Sequence, residues 1–218
     1  MAERKIRGVL FDMDGLLVDS ERVGAQVMID AARRQNVSVS LDVVKSTLGT
    51  TLEKCREIYA RHYPALQYEP LRQDFCEEMH RLARAGGIPL KPGAKALLDA
   101  LRARDIPCAI ASSSGPETVQ LYLEKAGVLD AFSALITGGM AQRSKPEPDI
   151  FLLAAQRLSL PPEDCLVLED SANGVRAGRA AGCQVFMVPD MIPYTPALAP
   201  FVDRVLPTLA DVIPLLPA

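Results

Sequence analysis

Six short apolar runs punctuate the chain: RGVLF at 7–11, PCAIA at 107–111, ALIT at 134–137, CLVL at 165–168, QVFMV at 184–188 and RVL at 204–206. Between the later runs lie segments of helical period, AKALLDALRAR at 94–104, ETVQLYLEKAG at 117–127, DIFLLAAQRL at 149–158 and NGVRAGRAAG at 173–182. Strands alternating with helices of about 10–15 residues predict a parallel sheet with right-handed crossovers, an α/β fold of Rossmann-like type. The runs are continuously apolar, as expected when helices cover both faces of the sheet. Gly127 and Gly182 stand where left-handed helix ends belong, and Pro107 follows the helix at 94–104.

One block breaks the alternation. From about residue 20 to 85 the sequence is helical and charge-rich, through ERVGAQVMIDAARRQ, TLEKCREIYARHY and PLRQDFCEEMHRLARA. Breaker-rich stretches, DGLLVDS before it and GGIPLKPG after it, bound the block. It reads as an all-helical insert at 17–87, joined to an α/β body made of 1–16 and 88–218. The proline-dotted stretch MIPYTPALAP at 191–200 reads as an irregular loop.

At 218 residues the chain can bury a sizeable core. A net charge of −3 speaks against a general nucleic-acid surface, which needs clustered Lys and Arg in excess. No apolar run approaches the roughly 20 residues that span a bilayer, and the apolar part of the N-terminus is too short for a signal peptide. Five scattered cysteines without CxxC spacing point to reduced thiols and a cytoplasmic protein, and with two histidines a zinc site is not expected. No long apolar stripe is left over, so a monomer is expected.

The strand exits carry the chemistry. In VLFDMDGLLVDSE, Asp12 and Asp14 end the first strand, where side-chain alternation would place them on one side about 7 Å apart at Cα. An Asp-Gly turn at Asp14 and Gly15 is the plainer reading. In CAIASSSGPETV, Ser114-Gly-Pro-Glu117 fits a capping box, which explains Ser114 but not Ser112. A hydroxyl at Ser112, backed by the free N–H groups of a helix N-terminus, suits a phosphate. Lys145 in RSKPEPDIF is biased to an extended conformation by Pro146, and is either a solvated charge or a counter-charge to substrate and nucleophile. In CLVLEDSANGVRAGRAAG a strand ends in Glu169 and Asp170; Asp170 or Ser171 could be an N-cap, and the Ala/Gly-rich helix suits close packing on the sheet.

Parallel strands bring these exits to one edge, where α/β sheets bind ligands. Up to four carboxylates would meet there with one lysine. At about 5 Å and an effective dielectric of about 20, each pair repels by roughly 3 kcal/mol. Hard oxygen donors without imidazole or thiolate point to Mg²⁺ as the ion that relieves this. Magnesium beside an anion site implies phosphate chemistry.

The set DxDG at 12–15, a strand-terminal serine at 112, Lys-Pro at 145–146 and the Glu-Asp pair at 169–170, in that order, resembles the haloacid dehalogenase superfamily. FDMDGLLVDSE, KPEPDIF and VLEDSANGV are similar to its subgroup with a helical cap after the first motif, which holds sugar-phosphate and nucleotide-type phosphatases and β-phosphoglucomutases. LVLEDSANGV with VFMVPD resembles pseudouridine 5′-phosphatase-like members. The resemblance implies an aspartyl-phosphate on Asp12, acid/base work by Asp14, phosphoryl contacts from Ser112 and Lys145, and substrate contacts from Ser113, Ser114, Thr50 and Thr51. It implies Mg²⁺ held by Asp12, the Asp14 main-chain carbonyl and Asp170, with Glu169 a direct or outer ligand, and a small phosphorylated metabolite as substrate. Dehalogenases lack the Asp14 acid/base. Where β-phosphoglucomutases carry a histidine this chain has Gly24, and threonines at 50 and 51 stand where those enzymes carry a substrate-binding arginine, so hydrolysis is expected over phosphomutase chemistry. Phosphonatase chemistry needs a lysine that ERVGAQVMIDAARR lacks.

Overall fold

The computed structural model describes residues 5–217. In chain order the elements are β1 (Gly8–Phe11), α1 (Ser20–Arg34), α2 (Leu41–Lys45), α3 (Leu52–His62), α4 (Tyr68–Arg84), α5 (Ala94–Arg102), β2 (Cys108–Ala111) and α6 (Pro116–Lys125). They continue with β3 (Ala134–Ile136), α7 (Asp149–Arg157), β4 (Cys165–Glu169), α8 (Ala172–Ala180), β5 (Gln184–Met187) and β6 (Arg204–Val205). All six apolar runs become strands of one parallel sheet in the order β3-β2-β1-β4-β5-β6. The order reverses at β1, so a crevice opens beyond the carboxyl ends of β1 and β4.

Every residue of β1, β2 and β4 is buried, because neighbouring side chains serve opposite faces. Val9, Phe11, Ile110 and Leu168 join α5 and α6 through Leu97, Leu101, Val119 and Leu123. Leu10, Ala111, Val167 and Val185 join α7 and α8 through Phe151, Ala154, Val175 and Ala177. Helices α1–α4 share a further apolar cluster around Ala31, Val44, Tyr59 and Leu71. Val27 on α1 and Met79 and Ala83 on α4 belong instead to the first cluster, which ties these helices to the sheet.

The chain leaves for α1 and returns from α4 side by side. Val18 bridges Leu90, Asp19 N–H donates to the Pro89 carbonyl at 2.8 Å, and Lys91 N–H donates to the Leu17 carbonyl at 2.9 Å. The Lys91 ammonium donates to Asp19 at 3.2 Å and to Asp190 at 2.6 Å.

Two local expectations change, and one short helix is added. Helix α2 has five residues and a Ser40 cap, too short for periodicity to reveal. The stretch at 191–200 is not wholly irregular, since Pro196–Phe201 forms a 3₁₀ helix. The helix after Ser114 starts with Gly115 at its cap position and no side-chain cap. Among the described residues no helix is long and apolar enough to cross a membrane.

Candidate active site

Strand β1 ends at Phe11, and Asp12 and Asp14 follow directly at its exit. Asp12 still docks on β4, its N–H donating to the Leu168 carbonyl at 3.0 Å. The chain then turns sharply: Gly15 takes φ 79°, and its N–H meets the Val18 carbonyl at 3.0 Å. A Cβ at Gly15 would run into the Asp170 carboxylate and crowd that of Glu21, so this glycine lets both acids approach the backbone.

The two aspartates sit in unlike surroundings. Asp12 accepts from the Lys145 ammonium at 2.5 Å, and the same ammonium donates to Glu169 Oε1 at 2.6 Å. The Lys145 side chain is 7% exposed and that of Glu169 0%, so this is a sequestered triad, not a surface charge. Glu169 Oε2 accepts from the Asp170 N–H at 3.1 Å, the Ser171 N–H at 3.1 Å and the Ser171 hydroxyl at 2.9 Å. Both Glu169 oxygens are thereby engaged. Ser171 is also the N-cap of α8, its hydroxyl accepting from Gly174 N–H at 3.0 Å. Gly174 leaves the space that Glu169 fills, since any Cβ there would overlap the carboxylate. The small residues of α8 therefore serve two ends: Gly178 packs on Val167 and Val185 as expected, whereas Gly174 makes room for the lysine's anchor.

Asp14 faces hydroxyls. Ser20 donates to one oxygen at 2.7 Å; Ser114 at 2.7 Å and Ser112 at 3.3 Å donate to the other. Ser112 is fully buried and accepts the Ser114 N–H at 3.0 Å. Ser114 therefore spends its hydroxyl on Asp14, not on a capping box.

Burial and the charges of Glu169 and Asp14 push Asp12 up to about 7, against the pull of Lys145. Burial, then Glu169, Asp12 and Glu21, raise Asp170 well above the usual carboxylate range. Burial works against the charge on Lys145, but Asp12 and Glu169 outweigh it and raise its pKa. Glu21 is pushed up to about 8 by burial and by Asp190, Asp12, Asp14 and Glu169. Burial and mutual repulsion thus hold Asp12, Glu21 and Asp170 above the usual carboxylate range.

Not every expected residue arrives. Thr50 donates to the Thr47 carbonyl at 2.8 Å, and Thr51 caps α3 by accepting Lys54 N–H at 3.2 Å; both are exposed and their hydroxyls are spent on their own loop. Ser113 is exposed and makes no hydrogen bond to Asp14 among the described residues. Sequence reasoning passed over Ser20 and Glu21, although both stand in the quoted DSE. It also passed over Asn173, whose amide donates to the Gly49 carbonyl at 3.1 Å, joining α8 to the loop before α3. Beside Asp14 opens a cavity of about 400 Å³ between α1, α4 and α6.

Residues 6–182 match the family described as haloacid dehalogenase-like hydrolase. The "Probable pseudouridine-5′-phosphatase" of Drosophila melanogaster is 35% identical over 195 residues, covering 86% of this chain and 83% of that protein. "Hexitol phosphatase A" of Escherichia coli K12 is 36% identical over 189 residues, covering 84% and 83%. A solved HAD family hydrolase from Deinococcus radiodurans R1, with bound phosphate and sodium, superposes with a TM-score of 0.83 at 30% identity, covering 99% of this chain and 100% of that one.

Proposed function

This chain belongs to the haloacid dehalogenase-like hydrolases, and from that premise we propose that it releases inorganic phosphate from a small phosphomonoester through an aspartyl-phosphate on Asp12. Relatives at 35% and 36% identity are named phosphatases, which supports phosphoric monoester hydrolysis of a small phosphorylated metabolite. The observation that carries the residue roles is the unlike setting of the two aspartates, one against an ammonium and one among hydroxyls.

A carboxylate oxygen of Asp12, oriented by Lys145, attacks phosphorus as the bond from phosphorus to the leaving alcohol breaks. Asp14 gives that alcohol its proton. The resulting carboxylate of Asp14 then takes a proton from water, whose oxygen attacks the aspartyl-phosphate and frees phosphate and Asp12. Lys145 and Ser112 hold the phosphoryl oxygens. Glu169, with both oxygens engaged, fits the place behind Lys145 rather than a metal ligand.

The donor set suits Mg²⁺. The Asp170 carboxylate meets no hydrogen-bond donor among the described residues, and hard oxygens without imidazole or thiolate surround it. Among the described residues no three acidic, imidazole or thiol side chains form a ready-made cage. Mg²⁺ commonly takes one or two carboxylates and keeps several waters. Asp12, Asp170 and the Asp14 main-chain carbonyl would hold it, and it would supply positive charge to offset that of the phosphoryl group.

Helices α1–α4, within 17–87, act as a cap over the body formed by 1–16 and 88–218. Their paired linkers and own apolar cluster support this. Gly24 lies in the cap against Phe75 and Met79, so position 24 supplies no imidazole to delay hydrolysis, which favours phosphatase over mutase. Phosphate release is measured over a panel of metabolite monophosphates with magnesium. Asp12→Asn should abolish it in a folded protein, because an amide does not attack phosphorus. Wild-type turnover in that variant, or rapid isomerisation of β-glucose 1-phosphate with little phosphate released, would refute the reading.

A further inference from the structure

The cavity of about 400 Å³ beside Asp14 is large enough to enclose a small leaving group. Ser20 and Ser114 line it, but each hydroxyl is already given to Asp14 at 2.7 Å. Arg72 and His80 face it from α4 and are exposed, as solvated surface groups are. Thr118 and Tyr122, four residues apart on one face of α6, line it from the body. Tyr122 is unlike its neighbours. The residue is 4% exposed and sits with Val119 and Leu123 in the main apolar cluster, so its ring is fixed by the core. Its hydroxyl meets no hydrogen-bond partner among the described residues. Unlike that of Tyr59 it is not fully enclosed, and so it opens on the cavity. Burial, then Asp14 and the Cys76 thiol, raise its pKa, so the phenol keeps a proton to donate. A phenol held this deep ordinarily finds a partner.

We infer that Tyr122 touches the substrate: its O–H donates to an oxygen of the leaving alcohol, a hydroxyl or carbonyl a few bonds from the scissile ester, and so sets that alcohol against Asp14. The inference rests on the phosphatase reading above and adds a residue to its site. Ser112 and Ser114, just ahead of α6, both donate to Asp14. The phenol and the proton donor are therefore fixed to each other through the body rather than through the inserted helices. A contact from exposed Arg72 or His80 on α4 would lack that fixed register. Pre-set groups of this kind cost little to order when substrate arrives.

The test compares wild type with Tyr122→Phe, which keeps the ring in the core, on two compounds with magnesium present. Ribose 5-phosphate carries hydroxyls close to the ester, and phenyl phosphate has no oxygen beyond its phosphate group. The variant should lose about tenfold in kcat/KM on ribose 5-phosphate, the worth of one hydrogen bond, and less than about twofold on phenyl phosphate. Its Tm should match wild type, because the hydroxyl has no partner in the fold. An unchanged kcat/KM on ribose 5-phosphate, or an equal loss on both compounds, overturns the inference and leaves the phosphatase reading standing. A drop of about 3 °C or more in Tm would place the bond inside the fold and also overturn it. Where either compound is not hydrolysed, its affinity by calorimetry replaces kcat/KM with the same outcomes expected. Ribose 5-phosphate that is neither turned over nor bound overturns the assignment. Failure of phosphatase chemistry itself is read separately, from the wider monophosphate panel.

Discussion

Polar side chains at the carboxyl edge of the sheet find their partners across the chain, whereas many of those on α1–α4 and their loops find them within a turn, with exceptions such as Arg34 to Asp74 and Arg22 to Asp190. Asp12 and Lys145 are 133 residues apart in sequence, Asp14 and Ser114 are 100 apart, and Asp14 and Ser112 are 98 apart. Among the helices, Thr50 bonds Thr47, Thr51 caps Lys54, Arg33 meets Asp30 and Arg81 meets Glu78, all three residues apart. The first pattern needs the whole sheet assembled and then fixes each charge in a dry setting. The second holds each helix in shape, while Glu21, Tyr68, Arg72 and His80 also line the cavity. The charges of Asp12, Glu169 and Lys145 thus belong to the sheet edge, and the helical layer contributes much of the cavity's mould through Met28, Phe75 and Met79.

The contrast is open to attack at three points. The largest effect is expected at Lys145. Lys145→Met strands Asp12 and Glu169 without their shared cation, which should cost about 3–5 kcal/mol of stability, as for other broken buried pairs. Turnover should fall by about a thousandfold or more, because nucleophile and phosphoryl group lose their common counter-charge. Denaturant melts and phosphate release read the two effects, and a variant as stable and active as wild type would break the picture of the edge.

Next comes pH. Asp12 is raised from 3.8 to about 7 and Glu21 from 4.5 to about 8. The folded chain therefore keeps protons that the unfolded chain has already given up, so between about pH 4 and pH 8 metal-free stability should fall as pH rises. Mg²⁺ favours the ionised acids. It should accordingly raise Tm more at pH 8 than at pH 5. An equal gain at both would count against a cation among these carboxylates.

The smallest effect is expected in the loop before α3. Thr51→Ala removes a helix cap and should cost about 1 kcal/mol. Turnover should stay within about twofold, since the hydroxyl is committed to Lys54 N–H. A tenfold loss in kcat/KM would show that this loop reaches substrate and would redraw the line between edge and mould.

The sequence's legibility follows the same division. The strands declare themselves because both faces are buried and their runs are unbroken, and their polar exits stand out against that background. Lys145 could be read as solvated or catalytic, and only the sheet, by bringing β1 and β4 together, decides that it is buried. Ser114 shows how a local pattern misleads. Its spacing to Glu117 satisfies a capping box, yet a carboxylate 100 residues away takes the hydroxyl. Gly174 misleads in the other sense, because a glycine in a helix on a sheet suggests packing while here the space belongs to Glu169. The threonines at 50 and 51 were expected at the substrate by position, and in the structure their hydroxyls bond their own loop and helix start. Such contests between near and distant partners are settled by tertiary structure.

The bridge between Val18 and Leu90 sets the two linkers side by side, and Lys91 reaches back across 72 residues to Asp19. An inserted segment whose ends already touch makes almost no demand on the scaffold that carries it. Beyond Ser20 and Glu21, which reach the acidic edge, such a layer would be free to change in length or sequence and so to sample new leaving groups.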